Sequence, residues 1–106
     1  MTNFPIELKR KIANLYFEHR KKLEGLDPTV MESFATEILK MIAREKNKSK
    51  PSHDLQVLEE SMKHLKHDSI TLKKYKPKSD DYEFALNDCQ NLIKATRKWL
   101  KLEELI

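Results

Sequence analysis

Apolar side chains recur along this chain at intervals of three and four, the spacing that gathers them on one face of an α-helix. Leu8, Ile12, Leu15, Tyr16, His19 and Leu23 form the first such stripe and predict a helix from about Phe4 to Glu24. Asn3 is placed to cap it, Pro5 suits its first turn, and Glu7 complements its dipole. Gly25 follows, at the point where a left-handed residue ends a helix most easily, so the glycine is expected to take that conformation.

The second stripe starts from the clearest signal in the chain. Asp27 can cap the free N–H groups, and Pro28 stands at the first helical position, where its missing N–H costs nothing. Leu26 and Met31 are spaced as a hydrophobic staple. Val30, Met31, Phe34, Ala35, Ile38, Leu39, Met41 and Ile42 then cover about half the circumference, which predicts a helix with neighbours on two sides, ending near Glu45 or Lys46. Asn47 to His53 reads as a polar loop. A narrower seam of Leu55, Leu58, Met62 and Leu65 predicts a third helix from about Asp54 to His67.

Residues 68–78 have no clean helical period. They are expected to be non-helical, pinned to the core by Ile70, Leu72 and Tyr75, with Pro77 disfavouring helix at Lys76. A last helix opens at Asp80 and Glu83, a capping-box-like pair beside Ser79, and runs to the C-terminus. Tyr82, Ala85, Leu86, Cys89, Leu92, Ile93, Thr96, Trp99 and Leu100 line one of its faces. Phe34, Ile38, Cys89, Leu92 and Trp99 lie near the centres of their stripes and should be buried.

Composition narrows the class. With 106 residues the chain fits one domain, and its single glycine, with no Asn-Gly or Asp-Gly pair, leaves little with which to build tight β-turns. The expected fold is all-α, a small antiparallel four-helix bundle spanning residues 1–106, with at least about 60% helix. No apolar run approaches the roughly 20 residues needed to cross a bilayer, so no membrane partner is expected. The N-terminus has no secretory h-region, and Cys89 stands alone, so no intramolecular disulfide forms. Both point to the cytoplasm.

Charge is uneven. Residues 1–39 carry six basic and six acidic side chains, residues 40–78 eleven and five, and residues 79–106 four and six. The excess positive charge therefore lies in the middle of the chain.

Catalytic chemistry finds few candidates. His64, His67 and Asp68 have metal-ligand spacing on one helix, but no second ligand pair accompanies them, so no metal or other cofactor is expected. Cys89 sits on an inward stripe beside Asp88, which disfavours a thiolate; it reads as a small core residue. There is no phosphate-cradling glycine loop, nucleophile elbow or His-Glu-x-x-His pair, and the chain is not expected to be an enzyme.

Binding is better supplied. Phe17 lies about 180° from Leu8 on the first helix, and Phe84, Ala95, Leu102 and Ile106 cluster about 200–240° from Tyr82 on the last. Apolar residues outside their own helix's core stripe suggest a contact surface. Phe17, Phe84, Leu102 and Ile106 are the candidate contacts for a protein partner or a homodimer. The expected function is non-catalytic protein binding, as a small regulator, inhibitor, immunity factor or adaptor. The alternative is a weakly sequence-specific nucleic-acid binder using the lysine-rich segment 63–78. There Lys73, Lys74, Lys76 and Lys78 would meet phosphates and Tyr75 would stack on a base.

Overall fold

The computed structural model describes residues 6–48 and 53–100. They form four α-helices: α1 (Ile6–Glu24), α2 (Pro28–Lys48), α3 (His53–Lys74) and α4 (Asp80–Leu100). No strand occurs among the described residues. The all-α four-helix bundle expected from the stripes is the fold observed.

The turn from α1 to α2 is built one residue later than the glycine suggests. Gly25 N–H still donates to Lys21 O in helical fashion, at 3.0 Å. Leu26 takes the left-handed conformation, with φ 60°. Its N–H donates to Leu23 O and that of Asp27 to Lys22 O, the paired bonds of a Schellman motif. Shifting the left-handed position onto leucine costs about 1–2 kcal/mol. In return Leu26 packs against the core, beside a fully buried Met31. Asp27 then caps α2, its Oδ1 accepting from Thr29 N–H at 3.0 Å and Val30 N–H at 3.2 Å.

The largest departure is in α3, which continues to Lys74 instead of stopping near His67. The core-facing row runs Leu55, Leu58, Met62, Leu65, then Asp68 and Ser69, then Leu72. Its period never breaks; two of its positions are polar. A row defined by apolar residues alone loses the helix there. Ser69 satisfies its hydroxyl by donating to Leu65 O at 2.6 Å. The N-cap of α4 also differs from expectation. Ser79 holds it, accepting from Tyr82 N–H at 3.2 Å, while Asp80, Asp81 and Glu83 occupy the first turn, where negative charge complements the dipole.

Lys78, in the α3–α4 connection, also has a left-handed backbone, with φ 76°, but its side chain is exposed and packs on nothing that would offset the strain. Lys78→Gly should therefore raise stability by about 0.5 kcal/mol, the relieved strain exceeding the added chain entropy. Leu26→Gly should lower it by about 1 kcal/mol, because packing is lost with the strain. Urea unfolding of the two variants checks the contrast.

α2 and α3 share the most extensive interface, and they run antiparallel, since the end of α2 meets the start of α3 and the start of α2 the end of α3. Ion pairs latch the two ends of that interface: Lys46 Nζ to Glu59 Oε2 at 2.6 Å, and Lys73 Nζ to Glu32 Oε1 at 3.1 Å. As exposed pairs they add about 0–1 kcal/mol each. α2 has neighbours on two sides, as predicted, but so has each of the others, because α1 closes the ring onto α4.

The closing contact is a crossing. Arg97 Nη1 lies 3.6 Å from Glu24 Oε2, and Lys9 Nζ lies 5.1 Å from the Trp99 ring centroid. Lys9 and Glu24 are about 22 Å apart along α1, whereas Arg97 and Trp99 are about 3 Å apart along α4. Only a transverse approach of α4's last turns lets them meet both. At this crossing the Tyr16 hydroxyl donates to Glu24 Oε2 at 2.9 Å. Burial pushes the Glu24 carboxyl up, but hydrogen bonds from Tyr16 and Arg20 and the charges of Arg20 and Arg97 outweigh it, so the group sits below its ordinary value.

Phe34, Ile38 and Cys89 are buried as expected. Leu92 and Trp99 are only partly buried, because both line an apolar notch of about 190 Å³ between α3 and α4, with Val57 and Ala95.

Candidate functional site

The polar interruption of α3's core row opens onto a groove between α3 and α4. Asp68 and Ser69 face α4, where Ala85, Asp88 and Cys89 come opposite. Small and polar side chains fill less space than the leucines they replace. Between the second half of α3 and the first half of α4 a cavity of about 610 Å³ results, lined by His64, His67, Asp68, Thr71 and Tyr75 on one side and Asp81, Phe84, Ala85, Asp88 and Leu92 on the other. That volume lies within the range of ligand and peptide sites. Leu92 lines both this cavity and the apolar notch, so the two adjoin along the α3/α4 face.

Its floor is a pair of carboxyls. Asp68 is 94% buried, and its Oδ2 has no hydrogen-bond donor within reach. Burial, then the adjoining Asp88 carboxyl, push Asp68 up to about 7. Two ionised carboxylates cannot hydrogen-bond each other, so burial and the adjoining Asp88 both favour the protonated form of Asp68.

The neighbouring thiol is not reactive. Burial, then the charge of Asp68, raise Cys89 to about 12, against a weaker opposing hydrogen bond from Ser69. It is a protonated core thiol at neutral pH. Among the described residues no group of three or more His, Cys, Asp or Glu is arranged to hold a metal ion, so His64, His67 and Asp68 do not form one with their neighbours.

The residues singled out from the sequence fall in different places. Phe84 is the most exposed aromatic among the described residues, at 74%, and lines the groove together with Tyr75. Phe17, on α1, is less exposed and has the Arg20 guanidinium 6.0 Å from its ring; no α1 residue lines the groove. α1 reaches α4 at Arg97 and Trp99, about 20 Å along the helix from Phe84. Leu102 and Ile106 lie outside the described residues. Lys73 and Lys74 form the last turn of α3, and Lys76 and Lys78 follow, exposed, in the connection. Lys73 is held by Glu32. Tyr75 lines the aspartate-containing groove.

Sequence reasoning named Asp68 and Asp88 only in passing and missed their pairing. A signal was present: two polar residues at core-row positions, in the only stretch of the chain whose period fails. No helix among the described residues is long and apolar enough to cross a membrane. No protein-family model, curated protein or solved structure matches the chain.

Proposed function

We propose that this chain works without catalysis, by binding a protein partner along the α3/α4 groove, as a small regulator, inhibitor, immunity factor or adaptor acting in the cytoplasm. The observation that carries this reading is Phe84: a phenylalanine three-quarters exposed that lines a 610 Å³ groove together with a second exposed aromatic, Tyr75. Exposed aromatics beside a cavity are the anchors of protein interfaces, where they supply large contact area for little conformational entropy. A non-catalytic role is supported by the state of the nearby nucleophiles. Cys89 is held as a thiol, and the Ser69 hydroxyl is engaged by Leu65 O. Three aspartates line the groove, so a nucleic-acid strand stacked on Tyr75 would meet like charge, which favours a protein partner over a polyanion.

The test compares Phe84→Ser with Phe17→Ser in affinity isolation from the native host. Neither change should alter helicity or shift Tm by more than about 3 °C, since both side chains are exposed. A partner retained by the wild type and by Phe17→Ser, and lost from Phe84→Ser, is the expected result. Retention that ignores Phe84 would contradict the groove as the contact surface.

A further inference from the structure

We propose that the α3/α4 groove receives an arginine side chain from the partner, seated between the Tyr75 and Phe84 rings with its guanidinium against Asp88 and Asp68. This rests on the protein-binding function proposed above and specifies the chemistry of the contact.

Charge complementarity is the first argument. Asp68, Asp81 and Asp88 all line the cavity, and among the described residues no lysine or arginine does. The other polar side chains lining it are His64, His67, Thr71 and Tyr75.

The second argument is the unsatisfied atom. Asp68 is 94% buried with an Oδ2 that no donor reaches, an arrangement expensive to keep unless something supplies donors or a proton. In the free protein a proton on Asp68 meets the need. A guanidinium brings five N–H donors in a planar fork, enough to bond both carboxyls at once and take the proton's place. It is also less strongly hydrated than an ammonium, so moving it into a half-buried groove costs less. The third argument is the aromatic lining. Two exposed aromatic rings, Tyr75 and Phe84, line the groove, and a guanidinium stacks on such faces.

The experiment titrates acetyl-arginine amide into the isotopically labelled protein and follows the aspartate side-chain carboxyl and aromatic resonances. Saturable shifts confined to Asp68, Asp81, Asp88, Tyr75 and Phe84, in the millimolar range suited to so small a probe, are expected. At saturation the titration midpoint of Asp68 should move to lower pH by half a unit or more, because a cation favours the ionised form. Acetyl-citrulline amide, the same shape without the charge, should produce no saturable shift. Asp88→Asn should weaken binding at least tenfold, and Phe84→Ala about threefold, with the helical spectrum retained. Equal shifts from the citrulline amide, or none from the arginine amide, would overturn the proposal. Acetyl-lysine amide binding as tightly as the arginine compound would overturn the guanidinium assignment. These outcomes are separate from the partner isolation: a partner lost with Phe84→Ser but no arginine binding would leave protein binding standing and remove the arginine.

Discussion

Phe34→Ala should cost about 3–5 kcal/mol, close to the whole stability of a domain at the lower end of the usual range of about 5–15 kcal/mol. Phe34 is 1% exposed in the middle of the first half of α2, where α1 and α2 meet. Its ring meets that of Tyr16 edge to face, with centroids 5.9 Å apart and planes at 74°. Truncation removes the buried area, leaves a cavity the neighbouring helices can only partly close, and strips Tyr16 of its aromatic partner. Tyr16 in turn donates to Glu24, the residue that Arg97 approaches across the α1–α4 crossing. Loss at Phe34 should therefore loosen the closure of the ring as well as the α1–α2 contact. Denaturant unfolding gives the magnitude, and hydrogen exchange should show α1 losing protection ahead of α3. A cost under about 1 kcal/mol would show that the site collapses freely.

The second large effect depends on pH. Asp68 titrates near 7 in the folded protein, raised by burial and then by Asp88, against about 3.9 in the unfolded chain. Between those values the folded state holds a proton that the unfolded state has released. Stability from this group is therefore full below about pH 4, falls as pH rises towards 7, and stays low above it. Three pKa units correspond to at most about 4 kcal/mol. Asp68→Asn keeps the volume, donates to Asp88 as the protonated acid does, and does not titrate. It should equal the wild type near pH 3 and exceed it by about 1–3 kcal/mol at pH 8. Glu24 and Glu59 slope the other way: their lowered values give stability that is lost as pH falls, and both variants share that loss. Destabilisation of Asp68→Asn at pH 8 would mean that the ionised carboxylate is needed by the fold.

Much of the fold could be read from the residues because local and global signals agree in them. Asp27 and Pro28 start α2 in isolation as they do in the bundle, and the wide stripe from Val30 to Ile42 could only be a helix covered on two sides. Two features escaped for separate physical reasons. The left-handed residue of the α1–α2 turn is Leu26, although Gly25 is intrinsically better suited, because burial of the leucine outweighs the backbone strain; a local rule cannot see that tertiary gain. The second half of α3 escaped because hydrophobicity was the only guide to its period, and Asp68 and Ser69 occupy the row where leucine was sought. That interruption also made the groove. The same substitution that hid the helix placed an underpartnered carboxyl at the α3/α4 seam. Local consistency tends to fail where a chain serves something besides its own stability. Phe84 could be found from its angle on the last helix, whereas His64, His67, Asp68 and Thr71 reach the same groove from α3, thirteen to twenty residues away in sequence, and only the packing brings them together.

The central claim is that the α3/α4 groove is where a partner sits. It is tested most directly by a photo-crosslinking amino acid placed singly at positions 84, 75 and 40 in the protein expressed in its native host. Position 40 is an exposed site on α2 with no part in the groove. One adduct of a single protein, formed from positions 84 and 75 and not from 40, is the predicted result. Adducts formed equally from position 40, or none from 84 and 75, would contradict it.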